Sequence, residues 1–253
     1  LMQVALTLHA TRAFFNAYKA ESWLTTVAFS FVVALLLSLF CYKLLSKRQS
    51  FRRVLLDAIK YSEFEPFYQP IIDSRTQKVL GAEMLIRWRK KNGTIVPPNQ
   101  FIPFAEDSGL IVDITEQATK KVVQDIVTLG WHKTERFISI NIVPVHIQDE
   151  QYFQLLTGLM AEHKLKPKHI SLEITERLQI DDLHAARHEL DKFFDYGIEL
   201  KLDDAGTGYG GFSYVQELGV KTLKIDKMFI DTINANDVKA SVLEAIISFA
   251  ASS

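Results

Sequence analysis

Residues that could do chemistry recur at one kind of place in this sequence, the ends of short apolar runs. Glu83 lies in VLGAEMLIRW, Asn141 closes FISINI, and Glu173 falls near the end of ISLEI. Asp203 and Asp204 follow IELKL, and Lys224 lies in TLKI. If those runs are strands of a parallel α/β fold, their C-terminal ends face one common site. Carboxylates and an amide converging there repel one another unless a cation lies between them. An all-oxygen donor set selects hard divalent ions such as Mg²⁺ or Mn²⁺ over zinc. The Asp203–Asp204 pair is the strongest element, because paired acids withdrawn from water need a cation to offset their repulsion. Each residue alone has a plainer reading, as a helix cap or a solvated loop group, and Lys224 as a surface lysine. On a strand rich in Leu and Ile, an inward Lys224 would instead be a counter-charge among the carboxylates.

The elements that must position these residues follow from pattern. Apolar or β-branched runs predict strands over Pro66–Ile72, Val79–Trp88, Phe137–Ile142, Ile170–Ile174, Ile198–Leu202 and Thr222–Ile225. Helix-period segments fall between them or after them: Ile111–Leu129 closed by Gly130, Glu150–His163, Leu183–Tyr196, and Val238–Ala251. The third has Asp181 or Asp182 as N-cap and Gly197 just past its end. Strands alternating with helices indicate βα units and a largely parallel sheet. Gly206, Gly208 and Gly211 also satisfy G-x-G-x-x-G after a strand, which opens a second reading as a dinucleotide-binding turn. Such turns usually open the first strand–helix unit, and Asp203 and Asp204 would push a pyrophosphate away. A mobile glycine loop beside a metal site accounts for the same residues without that conflict.

Composition narrows the class. The 253 residues carry Lys+Arg 29 against Asp+Glu 30, a net charge of -1, so no basic excess argues for a nucleic-acid polymer as partner. A hydrophobic share of 48% excludes a disordered chain. The single Cys41 excludes an internal disulfide framework and a zinc site built on several thiolates. No charged residue occurs from Ser22 to Tyr42, a stretch that spans about 30 Å as a helix. Trp23 and Tyr42 stand at its ends, where amphipathic rings favour the membrane interface. Lys43, Lys47, Arg48, Arg52 and Arg53 follow it, against Arg12 and Lys19 before it, and positive residues resist translocation. The expected organisation is the end of an extracytoplasmic segment (1–21), a transmembrane helix in lipid (22–45), a basic juxtamembrane linker (46–64) and a cytoplasmic α/β domain (65–253).

The residues of that domain resemble the EAL-domain phosphodiesterases, a bacterial family that hydrolyses cyclic di-GMP. The matching stretches are FYQPIID (67–73), GAEMLIRW (81–88), FIPFAEDSGLI (101–111), SINI (139–142), SLEITE (171–176), LDDAGTGYGGFSYV (202–215) and LKIDKMFI (223–230), in order. The resemblance implies a TIM-like (β/α) barrel of EAL type whose first strand runs antiparallel to the rest. It implies metal ligands at Glu83, Asn141, Glu173 and Asp203, with Asp204 on the second of two divalent ions, Mg²⁺ or Mn²⁺. Lys224 is then the lysine that orients the catalytic water. Gln69 and Arg87 become substrate contacts, Arg87 holding a phosphate oxygen by charge-assisted hydrogen bonds. Glu176 and the 205–211 stretch, with Gly206 and Gly208, match a loop that shapes the metal site and a homodimer face. The implied activity is hydrolysis of cyclic di-GMP to linear pGpG, lowering a second messenger at the bacterial inner membrane.

Three departures from the family pattern bear on that expectation. Met84 stands where the eponymous triplet has Ala. DDAGTGYGG replaces DDFGTGYSS, so Ala205 loses an aromatic and Gly210–Gly211 lose two hydroxyls, which should loosen the loop. The sequence stops at Ser253, before the family's last two strands, which carry a Glu and a Gln. A barrel incomplete at that end leaves strand edges exposed, and the chain as it stands is expected to be a poor enzyme. The alternative is a non-catalytic relative that binds cyclic di-GMP or a protein and signals by conformation. The presence of all six of Glu83, Asn141, Glu173, Asp203, Asp204 and Lys224 favours catalysis.

Overall fold

The computed structural model describes residues 11–175, 180, 182–206, 211–231 and 238–252. The chain divides into two compact units, Leu1–Val54 and Leu55–Ser253. The apolar run lies in one long helix, α1 (Arg12–Lys60). Trp23, Leu24, Phe29, Phe31, Leu36 and Phe40 all stand exposed on it, as does Cys41. A core helix would hide such side chains, so this apolar surface is not packed within the described residues. Among the described residues α1 is the one helix long and apolar enough to cross a membrane. It also runs on through residues 46–60, where a linker was expected. No Pro or Gly interrupts that stretch, and Leu55 and Ala58 recur at helical spacing to enter the core of the second unit. The amide of Gln117 donates to the Ile59 carbonyl at 2.6 Å and fixes the last turn there.

The second unit follows in the order β1 (Phe64–Ile72), β2 (Val79–Arg89), β3 (Ile95–Val96), α2 (Ile102–Asp107), α3 (Ile111–Thr128) and β4 (Phe137–Ile142). It continues through α4 (Pro144–Gln148), α5 (Glu150–Glu162), β5 (Ile170–Thr175), α6 (Leu183–Tyr196) and β6 (Glu199–Ala205). The last elements are α7 (Gly211–Leu218), β7 (Thr222–Ile225), α8 (Lys227–Ile230) and α9 (Val238–Ser252). Within the second unit, every strand and long helix read from the sequence is present within a few residues of its expected limits. The elements that pattern did not reveal are short: β3, α2, α4, α7 and α8 hold too few residues to show a period. α7 begins at Gly211, the last residue of the stretch read as a glycine loop.

The strands pair in the order β1-β2-β4-β5-β6-β7, with β3 folded back on β2. β1 runs antiparallel to β2, and every later pair along that path is parallel, which is the inverted first strand of the expected TIM-like barrel. Among the described residues, β1 and β7 are the two ends of the sheet. Strands of a parallel sheet normally read as continuous apolar runs. Here β4, β5 and β6 alternate instead, as FISINI, ISLEIT and ELKLDDA. Ile138, Ile140, Ile142, Leu172, Ile174, Leu200 and Leu202 are buried on one face, and the polar residues share the other. On the apolar side, α3 buries Ile111, Ile114, Ala118, Val122 and Ile126 at helical spacing. The Tyr68 hydroxyl ties β1 to α3 by donating to Asp125 at 2.5 Å. Phe64, Trp88 and Phe101 close one end with ring centroids 5.4–5.9 Å apart.

His146, in α4, is a buried titratable ring. It has no exposed surface, the Val143 N–H donates to its Nδ1 at 3.1 Å, and its ring meets that of Tyr152 with centroids 4.8 Å apart. Burial, opposed by the weaker effect of Val143, lowers its pKa from 6.5 to about 4. The neutral ring therefore favours the fold above pH 6.5, and that contribution is lost progressively as pH falls from 6.5 to 4. From pH 7 to pH 5 the unfolding free energy should drop by about 2 kcal/mol more in the wild type than in His146→Gln. Urea titrations at the two pH values check this, and equal drops would contradict a ring buried in its neutral form.

Candidate active site

Four strands each deliver one charged side chain to the same point. Glu83 on β2, Glu173 on β5 and Asp203 on β6 place carboxylate oxygens within 4.8 Å of one another. Lys224 on β7 stands among them: its Nζ donates to Glu83 Oε2 at 2.8 Å and to Glu173 Oε2, and lies 3.1 Å from Asp203 Oδ1. Parallel register produces the convergence. Glu83 aligns with Ser139, Asn141 with Glu173, and Thr175 with Asp203, and positions two apart on a strand return to one face.

Carboxylates 4.8 Å apart repel by roughly 3 kcal/mol per pair at an effective dielectric near ~20, so the cluster requires positive charge. Lys224 supplies one charge against three, which leaves two uncompensated. Burial alone would lower the Lys224 ammonium, but Glu173, Glu83 and Asp203 outweigh it and hold the lysine charged, above its ordinary pKa. Burial pushes the Glu173 carboxyl up, against the pull of Lys224. Glu173 has no exposed surface, and its second oxygen, Oε1, has no hydrogen-bond partner among the described residues. A buried acceptor left in that state is costly unless a ligand completes it. Two uncompensated charges, an all-oxygen donor set and an orphaned buried oxygen together fit a hard divalent cation.

The remaining expected residues are placed around this cluster. Asn141 clamps Glu83, its Nδ2 donating to Glu83 Oε1 at 3.1 Å and to the Met84 carbonyl at 3.4 Å. Asp204 is not one of the three gathered carboxylates. It sits at φ 55°, in the left-handed region, where the β6–β7 register shifts between Leu202 and Ala205. A non-glycine residue there stores about 1–3 kcal/mol of strain, and the bulge breaks the alternation that would send Asp203 and Asp204 to opposite faces. Gly206 follows at φ 94°, where an added Cβ would come within 2.9 Å of Ile246 and 3.0 Å of Phe229. Glycine is required there for both conformation and space. Gln69 lies directly across from Glu83 in the β1–β2 register and is exposed. Arg87 lies four residues along β2 from Glu83, on the same face, with its guanidinium 5.9 Å from the Phe67 ring centroid. Both share the face of the cluster without belonging to it. Glu176 and Gly208 lie outside the described residues.

Sequence patterning did not single out the layer beneath. Lys201 is buried, its Nζ donates to Ser139 Oγ at 3.3 Å, and the Ser139 and Ser171 hydroxyls are 2.7 Å apart. The signal was the polar residue at every second position of β4, β5 and β6, which marks a polar interior rather than a set of isolated strand-end acids.

Comparison with known proteins agrees with this architecture. The sequence profile of the EAL domain matches residues 52–253. The probable cyclic di-GMP phosphodiesterase PdeB of Escherichia coli (strain K12) is 34% identical over 213 residues, covering 84% of this chain and 41% of that protein. The cyclic di-GMP phosphodiesterase PdeL of the same strain is 32% identical over 197 residues, covering 76% of this chain and 54% of that protein. The chain thus spans about half the length of these curated relatives. Among solved structures, the PaMucR phosphodiesterase in complex with c-di-GMP superposes with a TM-score of 0.71 at 27% identity, covering 80% of this chain and 83% of that one. With a profile matched over most of its length, an antiparallel first strand and acids gathered at its strand ends, this chain belongs to the EAL domain family.

Proposed function

We propose that this domain hydrolyses cyclic di-GMP to linear pGpG, with divalent cations held by Glu83, Glu173 and Asp203 and with Asn141 and Asp204 beside them. The observation that carries the proposal is the set of three carboxylate oxygens within 4.8 Å of one another around a single ammonium. The family supports the substrate, since relatives such as PdeL are named cyclic di-GMP phosphodiesterases. When bound, two ions of Mg²⁺ or Mn²⁺ neutralise charge on a phosphodiester and lower the pKa of water. The chain's own residues supply the rest. Asn141 keeps Glu83 oriented. Lys224, relieved of the carboxylates, holds the attacking water with its freed N–H groups. Arg87 grips a phosphate oxygen by charge-assisted hydrogen bonds, and Gln69 offers an amide across from Glu83. By resemblance to the family, Glu176, Gly206 and Gly208 belong to a loop stretch that serves the metal site and pairing with a second copy.

The exposed apolar run of α1 and the basic residues after it support an anchor in the bacterial inner membrane, with the domain on the cytoplasmic side. The corresponding organisation is an extracytoplasmic segment over 1–21, a span within 22–45, and the EAL domain beyond it.

Supplied with Mn²⁺, the purified protein should convert cyclic di-GMP to pGpG, slowly for the 253 residues given, read by chromatography. Glu173→Gln should lower kcat/KM at least ~100-fold, because several kcal/mol of transition-state charge stabilisation depends on that carboxylate. A folded protein that binds the nucleotide with Mn²⁺ present and never cleaves it would instead be a receptor that signals by conformation. In bacterial cells the protein should sediment with membranes and leave them only with detergent. Release by high salt alone would contradict a spanning helix.

A further inference from the structure

Beneath the carboxylates lies a second ammonium that the reaction does not use. Lys201, on β6 two residues before Asp203, is 5% exposed. Withdrawing an ammonium from water costs several kcal/mol, so its neighbours show what holds it there. Its Nζ donates to Ser139 Oγ at 3.3 Å and lies 3.7 Å from the Phe137 ring centroid. The nearest ion-pair partner is Glu199 at 3.9 Å, itself half-exposed. Ser139 Oγ lies 2.7 Å from Ser171 Oγ. In register, Ser139 aligns with Glu83 on one side and Ser171 on the other, and Lys201 aligns with Glu173. Three polar side chains from three neighbouring strands thus form the layer on which Glu83, Glu173 and Asp203 stand.

We propose that Lys201 is a positioning residue for the cation site. Through Ser139 and Ser171 it locks β4, β5 and β6 together beneath the carboxylates, so that Glu83, Glu173 and Asp203 keep their spacing when Lys224 leaves them. The inference rests on the carboxylate cluster being the cation site. The direction of donation is what makes the lock specific. Because Lys201 donates to Ser139 Oγ, the Ser139 hydroxyl is turned toward Ser171 Oγ, 2.7 Å away. A plain counter-charge would behave in the opposite way. Coulomb repulsion from a nearby ammonium disfavours an incoming cation, so removing it would tighten binding. Removing a residue that orients the ligands loosens binding, typically 10–100-fold.

The test is Mn²⁺ binding to the whole protein, followed by electron paramagnetic resonance without nucleotide, so that no chemistry enters the readout. Lys201→Met keeps the apolar stem and removes the ammonium, and should raise the Mn²⁺ Kd about 10-fold. Ser139→Ala should do the same, the double variant should lose no more than the larger single effect, and Lys201→Arg should restore part of the affinity. Thermal unfolding confirms that each variant is folded, and a buried Met in place of Lys should not lower Tm. Unchanged or tighter Mn²⁺ binding in folded Lys201→Met or Ser139→Ala overturns the inference. Glu173→Gln separates this from the site itself. If the wild type binds no Mn²⁺, or binds it no better than Glu173→Gln, the cation site is wrong and the role of Lys201 falls with it. If Glu173→Gln abolishes binding while Lys201→Met leaves it intact, only the role of Lys201 falls.

Discussion

Three carboxylates within 4.8 Å of one another repel strongly wherever water is scarce, and the inner face of this sheet is organised around that repulsion. Lys224 offsets part of it by reaching all three. A buried ionic network of this kind is a poor way to stabilise a protein, because apolar residues of similar volume would serve as well or better. Its retention points to use. One ammonium among three acids holds the oxygens together while leaving charge for something else to satisfy, and the orphaned Oε1 of Glu173 says the same of geometry.

The fold meets this constraint in layers. Parallel register aligns the strand ends, so residues far apart in sequence arrive together; Glu83 and Lys224 are separated by 141 positions. The polar inner face, unusual for a parallel sheet, carries the site above and the Lys201–Ser139–Ser171 layer below. The strained backbone at Asp204 and the tight seat of Gly206 against Phe229 and Ile246 set where β6 ends. Strain of this kind collects at functional sites because the surrounding structure over-determines it.

Much of this was legible in the sequence, for physical reasons. Strand-end acids can be read because a parallel α/β fold leaves few other places for them, and the apolar run of α1 can be read because 21 successive residues without a charge stand out in any sequence. The FYQPIID, SLEITE and LDDAGTGYGG stretches gave the family and, with it, the antiparallel β1 that no local pattern predicts. What sequence did not yield is what depends on register or on short elements. Lys201 looked like one residue of a strand, since its role exists only once Ser139 and Ser171 lie beside it. α7 was too short to show a period, and residues 46–60 looked like a basic linker because the charges of Lys47, Arg48, Arg52 and Arg53 masked the helical return of Leu55 and Ala58. Lys224 was expected among the carboxylates, but its reach to all three could be seen only with the strands assembled.

If the cluster holds a divalent cation as proposed, that cation and the Lys224 ammonium compete for the same oxygens. The most direct measurement is calorimetric Mn²⁺ binding to the wild type and to Lys224→Met at pH 8. Freed of an ammonium whose displacement takes more than ~1.4 kcal/mol, Lys224→Met should bind Mn²⁺ at least about 10-fold more tightly. Equal or weaker binding in a folded Lys224→Met protein would mean that the cluster is a structural ion-pair network and that the cation, if it binds, binds elsewhere.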